Sequence, residues 1–120
     1  MSKYRSGFEA EVAKTLKLLK IKFEYEPKDK KIPYTTTSTY LPDIYLPNGI
    51  YCELKGYLRP TDRRKMKAII DQHPELDIRF VFQNPNVRLN KTSKTTYAKW
   101  CDQRGIKWGT VKDIPKWAKE

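Results

Sequence analysis

The chain has 120 residues, 38% of them hydrophobic, which suffices for one domain with a modest core and leaves little for a second. Its 25 Lys and Arg against 14 Asp and Glu give a net charge of +11, so the implied partner is an anion, with nucleic acid foremost. No apolar run approaches the ~18 residues of a membrane span, and the absence of a signal peptide together with only two cysteines, Cys52 and Cys101, fits a reducing cytoplasm.

Ser6 to about Lys20 predicts an amphipathic helix, because Phe8, Val12, Leu16 and Leu19 recur at helical spacing. Ser6 is its N-cap. Glu9, three residues on, completes a capping-box pattern, which gives its carboxylate a local task of accepting a backbone N–H at the helix start. Ile21, Phe23 and Tyr25 then alternate with Lys22, Glu24 and Glu26 as a half-buried strand. The KDKK run from Lys28 to Lys31 breaks that pattern and is open to two readings, a solvated loop or a loop that contacts phosphate through Lys30 and Lys31. Pro33 to Tyr40 is rich in threonine and has no apolar face, so it reads as an extended connector.

The stretch from Tyr40 to Gly56 carries the chemistry. Pro47-Asn48-Gly49 separates two runs of β-favouring residues, and the loop length decides which side chains share a face. A two-residue loop would mix apolar and charged residues on both faces. A type I turn at Pro47-Asn48 followed by a left-handed Gly49 instead sets Leu46 opposite Ile50. In that register Ile44, Leu46, Ile50, Cys52 and Leu54 form an apolar face, while Asp43, Tyr45, Tyr51, Glu53 and Lys55 form the other. Asp43 then faces Glu53 with Cβ atoms ~5 Å apart, close enough for both carboxylates to hold one divalent cation. Lys55, on the same side, could orient an attacking water or stabilise charge developing on phosphorus. The same pattern also describes an exposed hairpin face on which a lysine balances two acids.

Pro60-Thr61-Asp62 starts a helix, capped by Thr61 or Asp62, that runs to about Gln72 with Met66, Ile69, Ile70 and His73 on its apolar side. Arg59, Arg63 and Lys67 recur every four residues with Arg64 and Lys65 alongside, a basic stripe next to Lys55 that favours contact with a nucleic-acid backbone. His73, beside Pro74, reads as a helix C-cap and stays outside the catalytic set. Ile78, Phe80 and Phe82 alternate with Arg79, Val81 and Gln83 as a largely buried strand ended by Asn84-Pro85-Asn86. Thr92 or Ser93 caps a helix carrying Tyr97, Trp100 and Cys101 and stopping at Gly105; Ile106 to Trp108 is a short edge strand, and Pro115 opens a terminal helix. Both cysteines read as small core residues. The resulting order, α-β-β-β-α-β-α-β, is an α/β fold with a mixed central sheet flanked by helices.

Pro42-Asp43, nine intervening residues and Glu53-Leu54-Lys55 match the PD-(D/E)xK nuclease signature, which alone is loose. Its surroundings are more specific: Arg5-Ser6-Gly7-Phe8-Glu9, Ile21 to Glu26, Leu46 to Ile50, Gln72 to Arg79 and Gly105-Ile106-Lys107 together resemble the phage endonuclease I family of Holliday-junction resolvases, over nearly the whole chain. The resemblance implies a restriction-endonuclease-like fold spanning residues 1–120 as one nuclease domain, in an intertwined, segment-swapped homodimer whose connector, about residues 33–40, bridges the subunits. It implies Mg²⁺, or Mn²⁺ in its place, at two ions per site, bound by Glu9, Asp43, Glu53 and the Leu54 backbone carbonyl, with Lys55 assisting the nucleophile. Glu9 would reach the site from the other subunit. Arg5, Lys30, Lys31, Arg59, Arg63, Arg64 and Lys67 are the residues expected on DNA. The implied activity is hydrolysis of four-way and other branched DNA junctions to leave 5′-phosphates, in the cytoplasm of a phage's bacterial host, without a membrane or small-molecule cofactor. Two alternatives remain. A non-catalytic basic DNA-binding protein on the same fold would have no use for the acids at 9, 43 and 53, and a sequence-specific restriction-type nuclease is separated only by its substrate.

Overall fold

The computed structural model describes residues 3–34 and 39–120. Its frame is a five-stranded sheet made of β1 (Glu24–Tyr25), β4 (Ile44–Tyr45), β5 (Ile50–Lys55), β6 (Asp77–Phe82) and β7 (Trp108–Gly109), in that spatial order. The pairings β1–β4 and β4–β5 are antiparallel and β5–β6–β7 are parallel, so the sheet is mixed, as the element order predicts. A two-stranded antiparallel pair, β2 (Ile32–Pro33) with β3 (Thr39–Tyr40), stands apart from it. The connector read at 33–40 falls partly on residues 35–38, which lie outside the described residues, and the segments flanking them pair with each other.

Both faces of the sheet are covered. On one, α1 (Gly7–Leu18) brings Val12 and Leu16, and α4 (Ile114–Trp117) brings Ile114, against Ile44, Leu46, Ile50, Cys52, Leu54 and Val81. On the other, α2 (Pro60–Gln72) and α3 (Tyr97–Gln103) bury Met66, Ile69, Tyr97, Trp100 and Cys101 against Ile78, Phe80 and Phe82. A strand packed on both sides is apolar at nearly every position, and β6 accordingly has a single buried charge, Arg79. Arg79 is neutralised by Asp77 and Glu120, each 2.8 Å away, which ties the chain after α4 to the sheet. Both cysteines are free and buried.

The hairpin has the register that its turn chemistry dictates. Ile44 pairs with Cys52 and Tyr45 with Tyr51, which places Asp43 opposite Glu53. Gly49 has φ +94 and donates its N–H to Leu46 O at 2.9 Å. Several boundaries differ from expectation. The first strand is only Glu24–Tyr25, because Glu26 turns to φ 45 and Ile21 and Phe23 pack as a coil against the α1 side of the core. The residue before α2 is Arg59, whose N–H is accepted by Asp62 at 3.0 Å, so Asp62 caps from the third helical position and Thr61 does not cap. α3 is capped by Thr96, which accepts from Lys99 N; Thr92 and Ser93 instead donate their N–H groups to Asn90 Oδ1 in a preceding turn. The last strand starts at Trp108, with Ile106 buried just before it.

Candidate active site

Asp43, just before β4 begins, meets Glu53 on β5. The ladder is continued past Ile44 by a side chain: Leu54 N–H donates to Asp43 Oδ2 at 2.8 Å. Asp43 is thereby held against β5 with its own backbone carbonyl accepting from Glu26 N at 3.1 Å. Glu53 is 6% exposed, which rules out an open hairpin face whose charges are merely solvated. Its two oxygens have different partners. Tyr40 OH donates to Oε1 at 2.5 Å, and Lys55 Nζ lies 3.3 Å from Oε2. Lys55 also lies 3.3 Å from Asp62 Oδ1, so the carboxylate that starts α2 holds the lysine from its far side.

The electrostatics follow from this burial. Desolvation first, and the Glu53 charge second, push the Asp43 carboxyl up to about 9 against the downward pull of the Leu54 N–H; the Glu9 charge adds to the rise. Among the described residues Lys55 is paired with Glu53 and Asp62, and no cation is paired with Asp43. For Lys55, burial works to lower the pKa, but the attraction of Glu53 and Asp62 outweighs it and the group stays protonated above its usual value. Tyr40, wholly buried beside two acids, is raised well above the ordinary tyrosine value and remains a hydrogen-bond donor.

Glu9 has its own shell. Its N–H donates to Ser6 Oγ at 3.1 Å, as the cap pattern requires, while its Oε1 accepts from Arg5 N at 3.0 Å and from Tyr25 OH at 2.7 Å. It stands close enough to raise Asp43 electrostatically. Among the described residues, however, no three His, Cys, Asp or Glu side chains converge into a ready metal cage. The convergent set is Asp43 and Glu53 with the adjoining backbone, and one or two carboxylates completed by water and substrate oxygens is the donor set that Mg²⁺ ordinarily takes. The residues present therefore fit that ion.

The expected DNA-facing cations divide by what they touch. Arg59, Arg64 and Lys31 are exposed, with the Arg59 guanidinium 5.6 Å from the Tyr57 ring. Arg63 donates to Leu58 O at 3.0 Å, Lys67 pairs with Asp71 at 2.7 Å, and Arg5 pairs with Glu26 at 2.9 Å. Lys30 lies 3.3 Å from Asp29 and over the Tyr45 ring at 4.8 Å. His73 ends α2 as a C-cap, its Nε2 against the Pro33 carbonyl oxygen. Sequence reasoning missed Tyr40 and Tyr25 as partners of the two glutamates, and placed Lys65 only in the basic stripe, whereas its ammonium lies 5.6 Å from the Tyr40 ring. It read Asp62 only as a cap. The short link from Lys55 to Pro60 was the available sign that the start of α2 returns to the strand end.

Comparison with known proteins adds to this geometry. A family profile described as Phage endonuclease I matches residues 1–120. The chain is 45% identical over 120 residues to the Endonuclease I of Escherichia phage T7, covering 98% of this chain and 79% of that protein. It is 46% identical over 106 residues to the Endodeoxyribonuclease 1 of Enterobacteria phage T3, covering 86% of this chain and 68% of that one.

Proposed function

The chain belongs to the phage endonuclease I family, and from that premise we propose that it is a structure-selective endodeoxyribonuclease that hydrolyses phosphodiesters at branched DNA, four-way junctions above all. The observation that carries the reading is the facing pair Asp43 and Glu53 with Lys55 3.3 Å from Glu53, at the edge of a basic helix. Asp43, Glu53 and the Leu54 carbonyl would hold Mg²⁺ or Mn²⁺, with Glu9 completing the shell of a second ion. A divalent cation so bound supplies a Lewis acid at the phosphate and lowers the pKa of a coordinated water. The chain's own groups do the rest. Tyr40 fixes one oxygen of Glu53, Asp62 and Glu53 hold Lys55 cationic, and that ammonium stabilises the charge that develops on the scissile phosphate in a site largely closed to water. The product expected is a nick with a 5′-phosphate, made in the cytoplasm of the phage's host. Among the described residues no helix is long and apolar enough to cross a membrane.

Two cuts related by approximate two-fold symmetry call for two sites, so the working unit is a C2 homodimer. Exchange of the chain on either side of the connector, about residues 33–40, would pass each Glu9 to the other subunit. The decisive experiment compares cleavage of a four-way junction with that of a sequence-matched linear duplex in Mg²⁺. Junction cleavage should be much the faster, and Asp43→Ala or Glu53→Ala should abolish it while junction binding persists, since affinity rests mainly on basic contacts to phosphate. Equal rates on both substrates would favour a general or sequence-specific nuclease. Binding without cleavage by the wild type would favour a non-catalytic DNA-binding protein.

A further inference from the structure

β5 and β6 run parallel, and the loops at their carboxyl ends, residues 56–59 and 83–96, lie side by side beyond Lys55. Between them is an open cavity of about 550 Å³ lined by Tyr57, Val87, Arg88, Leu89, Asn90 and Lys91, together with Gly56 and Tyr97. The crevice outside the carboxyl ends of parallel strands is the usual ligand position in open α/β sheets. Three features give this one a character. It has aromatic and apolar walls in the open: Tyr57 is 61% exposed and Val87 37%, both among the few large hydrophobic side chains left uncovered. Its charged lining residues, Arg88 and Lys91, are exposed cations, Arg59 stands against the Tyr57 ring, and among the described residues no acid lines it. Its wall is also formed in advance, since Asn90 Oδ1 accepts from Thr92 N, Thr92 Oγ1 and Ser93 N, and Leu89 and Tyr97 are bonded through their backbones to Thr95 and Val87.

An aromatic ring open to solvent, beside the apolar Val87 and Leu89 and a cationic rim, suits a ligand that is flat and apolar on its faces and anionic along its backbone. We propose that this cavity receives an unstacked nucleotide of the substrate strand, its base against Tyr57 and its phosphate between Arg88 and Lys91. The inference rests on the nuclease reading and adds a substrate requirement to it. Two residues of extended chain span at most about 7 Å of backbone, so a base held against Tyr57 belongs to a nucleotide near a phosphate at Lys55. There an intact duplex presents only paired and stacked bases, whereas stacking is interrupted at a branch point, so that displacing a base there costs less. The cavity thus gives a physical source for preferring branched over continuous duplex DNA. A peptide or a second protein on the same apolar surface would have no need of the cationic rim.

A coupling experiment in which protein and DNA are each altered tests this. Full-length wild type, Tyr57→Ala and Tyr57→Phe are titrated in EDTA with a four-way junction, and with the same junction carrying one abasic site at each nucleotide near the cut. Tyr57→Ala should bind the intact junction about tenfold more weakly, within the range that stacking one base on an aromatic ring contributes, and Tyr57→Phe should bind as wild type. At one nucleotide near the cut, the abasic site should weaken wild-type binding by a similar factor and leave Tyr57→Ala unaffected. Penalties that simply multiply at every position, in a wild type that does cut junctions, would overturn the cavity's role and leave the nuclease reading standing. A wild type that cuts no DNA would sink both.

Discussion

At the scale of single residues, the site is defined by charges that burial makes costly. Asp43 has an ordinary value of 3.8 and is pushed up to about 9, so the native chain keeps a proton that the unfolded chain loses over that interval. The stability linked to this group is therefore full below its ordinary value and drains away as pH rises toward about 9. In chelator-treated protein, Asp43→Asn should flatten that decline, which for a native group still protonated is about 1.4 kcal/mol per pH unit above the ordinary value, and so raise Tm at pH 8 by more than it does at pH 5. Parallel melting-against-pH curves for the two proteins would mean that Asp43 ionises in the native chain at no cost. Tyr40 has the complementary role of orienting Glu53 through one hydrogen bond. Tyr40→Phe should lower the cleavage rate about 10–100-fold with junction affinity intact, the usual effect of removing a group that orients a metal ligand. Full activity in this variant would show that Glu53 is held in place without the phenol.

At the scale of elements, local chemistry and long-range contact contributed unequally to what could be read in advance. The β4–β5 hairpin was legible because turn residues and two-residue alternation agree on a single register, and that register alone brings Asp43 to Glu53. The span of α2 was legible from its caps and its apolar spacing. The β2–β3 pairing was not, because threonine-rich sequence shows no face. Nor were the bonds from Tyr40 to Glu53 and from Asp62 to Lys55, since contacts across elements leave no local pattern. The basic stripe of α2 illustrates the same limit. Its spacing marks Arg59, Arg63 and Lys67 as equivalents, but Arg63 is engaged with Leu58 O and Lys67 with Asp71, whereas Arg64 is exposed. Arg64→Glu should therefore reduce the log–log salt dependence of DNA binding by about one, with a smaller change for Lys67→Glu, whose charge is already partly met. Identical, unaltered slopes in both variants would return the stripe to plain solvated surface.

At the scale of the whole molecule, a shared site makes a definite demand on subunit mixing. A Glu9→Ala chain co-refolded with an Asp43→Ala chain should give heterodimers in which one site carries both lesions and the other neither. The mixture should then nick junctions at up to half the wild-type rate per heterodimer while each parent is inactive. Inactive mixtures, with heterodimers demonstrated, would mean that every chain completes its own site. A last consequence concerns time. β5 is antiparallel to β4 on one side and parallel to β6 on the other, so the sheet joins a local hairpin to a crossover that must wait for α2. Hairpins close in about 1–10 μs, well before a non-local parallel pair assembles. Asp43 and Glu53 both lie within the hairpin unit, so their repulsion is met near the start of assembly. Relief of that repulsion should appear as faster refolding, with the rate of unfolding nearly unchanged.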